Sequence, residues 1–112
     1  MMQFNQVVIF VTVATHEEAD IIADILLEEQ KAACVNIVPT VDSRFRWEGN
    51  PESEQETMLI IKTRASLVDE VVNLVKTVHS YDVPEIIALP IIGGNPDYLQ
   101  WVDNETEPEL TP

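Results

Sequence analysis

Two amphipathic stripes with helical spacing interleave with four runs of strand character, in the order β-α-β-β-α-β, and this order limits the fold more than any other feature. The first run, Val7–Val13, is rich in Val, Ile and Phe and too short for an ordinary helix. Thr15 stands three residues before Glu18, the spacing of a capping box, with acids in the first turn where the helix dipole favours them. Ala19, Ile22, Ala23 and Leu26 follow at intervals of three and four, which predicts a helix to about Gln30. The second stripe is Val68, Val71, Val72, Val75 and Val78; it starts after Ser66 and stops near His79, and Pro84 prevents its resumption.

Between the stripes lies a long second strand from about Ala33 to Trp47, with Pro39 inside it. Its later half alternates Val41, Ser43, Phe45 and Trp47 with Asp42, Arg44 and Arg46, a period of two. Glu48–Pro51 reads as a turn and Glu56–Thr63 as the returning strand, so the pair forms a long antiparallel hairpin. Glu85–Ile92 is the fourth strand, Gly93–Pro96 a turn, and Asp97–Val102 a short helix with Tyr98 and Trp101 on one side. Residues 104–112 hold three Glu and two Pro and read as a disordered acidic tail, leaving residues 1–103 as one domain. Two right-handed crossovers in this order give an α+β sandwich: a four-stranded antiparallel sheet, order 4-1-3-2, with both helices on one face. Pro39 and Pro90 then fall in the two edge strands, where a sheet tolerates proline.

A sheet covered on one face and wet on the other should alternate apolar and polar residues. Val7–Val11, Met58–Ile61 and Ile86–Ile87 are apolar on both faces, and the chain has no spare helix to cover the second. The run Cys34–Trp47 would span roughly 45 Å, so the hairpin overhangs its sheet and exposes Phe45 and Trp47. Packing on a neighbouring subunit is the economical cover, and about 800 Å² per partner suffices for a specific contact. With 112 residues, 46% of them hydrophobic, the chain has the makings of one packed core. Its net charge of −14 disfavours nucleic acid and anionic membranes and favours cations. Cys34 is the single cysteine, so neither an intrachain disulfide nor a multi-cysteine metal site can form. With no basic n-region or long apolar run at the start, the expected location is the cytoplasm.

Several segments occur in order: Thr12-Val13-Ala14, Ala32–Ile37, Phe45–Gly49, Glu56 ahead of Ile61-Lys62-Thr63, His79–Ile86 and Tyr98–Trp101. Together they resemble the CutA (CutA1) divalent-cation tolerance proteins over about residues 6–103. The resemblance implies a ferredoxin-like fold, a homotrimer similar in assembly to the PII signalling proteins, and a link to tolerance of copper and other divalent metals. Copper binding in bacterial relatives is associated with a cysteine near the end of strand 1 and a His-His pair before Pro-Tyr. Here those positions hold Val11 and Val78-His79, followed by Ser80-Tyr81, so His79 alone remains as a metal ligand of that type. No cofactor is required on this reading, and copper or another divalent cation is a weak ligand.

Each candidate residue carries a plain structural alternative. His79 closes the second helix, where an imidazole satisfies the last carbonyls, or else it is a ligand. Cys34, amid Ala32, Ala33 and Val35, is expected in the core, and His16 at a solvated helix start. Trp47, Glu56, Lys62, Tyr81 and Trp101 match the family's motif and combine polar groups with aromatics, the makeup of a small-ligand pocket between subunits. Alternatively, Glu56 and Lys62 form an interface ion pair and the tryptophans are packing anchors. The expected function is a non-enzymatic binding or regulatory protein in the response to metal ions, with direct copper sequestration or PII-like small-ligand sensing as alternatives. An acylphosphatase-type enzyme would need an anion cradle after strand 1, where Ala14–Glu18 offers acids. Nucleotide sensing fits poorly with six basic residues and no Gly-rich loop.

Overall fold

The computed structural model describes residues 4–108. Its elements are β1 (Gln6–Val13), α1 (His16–Glu28), β2 (Cys34–Trp47), β3 (Asn50–Arg64), α2 (Val68–Val78), β4 (Ile86–Pro90) and α3 (Pro96–Asn104), with one 3-10 turn, Ala65–Leu67, before α2. The sheet runs β2-β3-β1-β4, antiparallel throughout, as the crossover argument requires. Val7, Ile9, Val11 and Val13 of β1 and Leu59 and Ile61 of β3 point to the helices. They meet Ala19, Ile22 and Leu26 of α1 and Val71 and Val75 of α2, all buried. Each such aliphatic side chain contributes about 1.5–3 kcal/mol by leaving water.

Thr15 caps α1 as expected, its Oγ1 accepting from Glu18 N at 3.1 Å. The reciprocal half of the capping box is absent. Glu18 turns instead to the segment after α2, where Ser80 N and Oγ donate to its two oxygens at 2.8 and 3.0 Å.

The hairpin turn is tighter than Glu48–Pro51. Glu48 and Gly49 both have positive φ, 50° and 82°, and Trp47 pairs with Asn50, the two-residue connection that suits twisted strands. β3 therefore begins six residues before Glu56. Glu52, Glu54 and Gln55 lack an apolar period, and the ladder to β2 makes them strand. The overhang is real: β1 reaches only Thr57 of β3, and the molecule is 46 Å along its longest axis. A radius of gyration of 14.8 Å exceeds the about 13 Å expected for a compact chain of this size, as a projecting ribbon demands.

Pro39 sits at a bulge. Val38 pairs with Met58 but Val41 with Glu56, so β2 carries one extra residue there. With a period of two, that residue reverses the phase. Val35 and Ile37 share a face with Leu59 and Ile61, toward the helices, whereas Val41, Ser43, Phe45 and Trp47 share a face with Glu56, Glu54 and Glu52. The apolar stripe of the overhang thus continues the sheet's second face.

That second face is not wholly bare. Gln6 and Arg64, register partners on it, bond α3 and the residues beyond: Gln6 Nε2 donates to Asp103 at 3.0 Å and Arg64 Nε to Thr106 Oγ1 at 2.8 Å. α3 therefore covers one end of the face, a cover the sequence reading did not supply. The rows Leu89–Val8–Lys62–Cys34 and Ile87–Phe10–Ile60–Asn36 remain, with Ile87 and Leu89 exposed. Residues 104–107, read from the sequence as part of the tail, bond to the rest of the domain. Asn104 ends α3, Thr106 is buried, Glu107 N donates to Gln30 O at 2.8 Å, and the Lys31 ammonium bonds both Glu107 and, at 2.9 Å, Glu70. The two carboxylates push the Lys31 pKa up, the Glu107 bond first. Residues 109–112 lie outside the described residues.

Candidate functional site

Glu56 follows directly where the β1 ladder ends, and it is 8% exposed. A carboxylate so placed needs a donor. Tyr81 provides it, its hydroxyl lying 2.9 Å from Glu56 Oε2. Burial, and then the Glu56 carboxylate, push the Tyr81 pKa up to about 12, so the phenol stays a proton donor.

Tyr81 is positioned in turn by His79, the residue that ends α2. The Tyr81 N–H donates to His79 Nδ1 at 3.0 Å, which requires a lone pair there, so the ring proton sits on Nε2 and is donated to Thr12 O at 2.8 Å. The side chain is fully buried, with Glu18 Oε1 3.7 Å from Nδ1. Both nitrogens are thus engaged with backbone, and a metal ion could take Nδ1 only by displacing the Tyr81 amide. Val11 is a core residue and Val78 is exposed. Among the described residues no three His, Cys, Asp or Glu side chains converge as metal ligands do. His16 pairs with Asp20 at 3.3 Å on an exposed turn, as expected.

Glu56 and Tyr81 form the floor of an open cleft of about 720 Å³ between the overhanging hairpin and the 81–85 segment. Trp47 and Phe45 line it, about half and two-fifths exposed, with Thr12, Ser43 and Val83. Its charges are Glu52, Glu54, Glu56, Asp82 and Glu85 against Arg44 alone. Sequence reasoning singled out Trp47, Glu56 and Tyr81, which the fold brings together, and missed Glu52, Glu54, Asp82 and Glu85. The signal for the first two was present: acids at alternate positions ending on Glu56 share one face of a strand.

Lys62 and Trp101 lie elsewhere. Lys62 is six residues beyond Glu56 on an extended strand, about 20 Å away, and its ammonium bonds Asn36 across the β2–β3 pair. Trp101 is on α3 with its ring 5.5 Å from that of Tyr98. Within one copy neither reaches the cleft. Cys34, expected in the core, is half-buried on the second face opposite Lys62, its thiol 3.8 Å from Asn36 Oδ1. Burial and the neighbouring Cys34 push the Tyr98 pKa up.

The profile of the CutA1 divalent ion tolerance protein family matches residues 7–105. Protein CutA of Arabidopsis thaliana, a chloroplastic protein, is 48% identical over 100 residues, which are 89% of this chain and 55% of that protein. The chain thus spans about half the length of that relative. The divalent-cation tolerance protein CutA of Thermus thermophilus is 46% identical over 88% of this chain and 96% of its own. In structure, CutA1 of Oryza sativa superposes with a TM-score of 0.89 at 48% identity, covering 93% of this chain and 95% of the other.

Proposed function

Since the chain belongs to the CutA1 divalent ion tolerance family, we propose that it works as a homotrimer, a non-enzymatic binding or regulatory protein in the cellular response to divalent cations. The observation that carries this reading is the sheet's second face, which leaves Ile87, Leu89, Phe45 and Trp47 exposed, with α3 as the one covering element among the described residues. Such a face on a small protein marks a contact surface. In the trimer a neighbouring copy sets its Lys62 and Trp101 against Glu56 and Tyr81, closing the cleft into a ligand pocket of the PII-like kind. The lone cysteine suits a reducing compartment, and the cytoplasm is the proposed location.

Native mass spectrometry of tag-free protein tests the reading, because it reports copy number and any retained ligand together. Three copies per particle are expected, and a stable single copy at micromolar concentration overturns the proposal. Copper sequestration at His79 has no support in the geometry, since both ring nitrogens are taken. Calorimetry with copper is expected to show no binding tighter than about 100 µM, roughly 5.5 kcal/mol.

A further inference from the structure

The helix layer lies on the side of the sheet away from the proposed contact between copies, so that assembly leaves it open. α1 and α2 run antiparallel there and are clasped at both ends. Ser80 N, just past α2, donates to Glu18 in the first turn of α1 at 2.8 Å, and the Lys31 ammonium, beyond α1, donates to Glu70 in the first turn of α2 at 2.9 Å. The two glutamates mark the facing sides of the helices. Ile21 and Ile25 follow Glu18 on its side of α1, and Leu74 and Val78 follow Glu70 on its side of α2, at spacings of three or four. Ile25 and Leu74 are part-buried, whereas Ile21 and Val78 are 49% and 37% exposed. Between the clasps the seam is therefore a shallow apolar groove. We infer that it docks an amphipathic basic helix of another protein.

Charge complementarity selects that occupant. Glu17, Asp24 and Glu28, all exposed, flank Ile21 at spacings of four, three and four, which strings three carboxylates along about 16 Å of the α1 rim. The α2 rim is neutral, formed by Asn73 and Thr77, whose hydroxyl donates to Asn73 O. Two parallel helical walls accept a third helix by ridge-and-groove packing, its apolar stripe in the seam and its Lys or Arg residues on one flank only, toward α1. A second copy cannot supply that flank: α1 and α3 hold no Lys or Arg, and α2 holds only Lys76. The same carboxylates repel phosphate-bearing partners.

A display library of helices of about 14 residues, with leucines fixed at spacings of three and four and Lys, Glu or Gln elsewhere, tests the inference on the full chain at physiological salt. Enriched sequences are expected to carry Lys on one flank of the leucine stripe. A selected peptide should bind in fluorescence anisotropy at least about tenfold more tightly than a scramble of the same composition. Ile21→Ser strips one wall of the groove and Asp24→Asn one charge of its rim, both at exposed positions. They are expected to weaken the peptide about tenfold and about threefold, with circular dichroism and sedimentation unchanged. Failure to enrich, or enrichment without a basic flank, overturns the inference. So does a scramble that binds equally, since the net charge of −14 then explains the attraction, or variants that bind like the parent. A changed copy number in either variant overturns it as well, because the groove is then a contact between copies. The inference goes beyond the proposed assembly and does not need it: a monomer that binds the peptide defeats only the assembly, and a trimer that ignores the library defeats only the docking groove.

Discussion

Burial and the Glu56 carboxylate keep the Tyr81 phenol a hydrogen-bond donor to that buried side chain. Replacing Tyr81 with Phe leaves Glu56 without its donor, and the cost is expected to be about 1–3 kcal/mol in urea unfolding. The pH dependence follows from the direction of the shift. The folded value is raised from 10.0 to about 12, so the contribution of Tyr81 is complete below pH 10 and is lost as the pH climbs toward 12. Ultraviolet titration of the folded protein should therefore show one of its two tyrosines ionising only as the pH approaches 12. Ionisation of both near pH 10, with the fold intact, contradicts the burial of Tyr81. His79 belongs to the same unit, as the residue that fixes the Tyr81 backbone.

At the scale of elements, the strand and helix order was legible because β1 is a short run of β-branched and aromatic residues, the later half of β2 has a period of two, and α1 and α2 have one of three to four. The prolines were legible as well, since Pro39 and Pro90 both fall on edge strands. What the bulge does was not. Phe45 and Trp47 alternate with charges whichever way they point, and only the pairing of Val41 with Glu56 reveals that the stripe has changed faces. The partners of Glu18 and Glu107 were illegible for a related reason: both bonds join segments far apart in the chain, to which local spacing is blind. Cys34 was misplaced because Ala32, Ala33 and Val35 look like core, although only the alternate residues of an edge strand face the helices. The bulge yields a sharp expectation. Deleting Thr40 removes the extra residue, so that Pro39 alone stands between Val38 and Val41 as Thr57 alone stands between Met58 and Glu56, and Phe45 and Trp47 keep the face of Glu52, Glu54 and Glu56. The variant should therefore keep its far-ultraviolet dichroism and its sedimentation behaviour. A Thr40 deletion that changes its copy number shows that the bulge does more than set the phase.

For the whole molecule, charge and apolar surface pull in opposite directions. A net charge of −14 repels further copies of the same chain, yet Ile87, Leu89, Phe45 and Trp47 gain from being covered by one. Screening weakens the first effect and leaves the second, because the Debye length falls to about 8 Å at physiological salt. Added sodium chloride should therefore raise the Tm and favour association together. Ile87 separates the two effects. It is half exposed at the β4 edge and pairs with Phe10 across the second face, outside the cluster packed beneath the helices. Ile87→Asp accordingly leaves the core intact and sets a charge in the middle of the proposed contact surface. The expected result is a folded monomer in analytical ultracentrifugation, with a Tm that no longer rises with protein concentration as mass action demands of the parent. An Ile87→Asp protein that still sediments as the parent does would show that the contact surface lies elsewhere on the molecule.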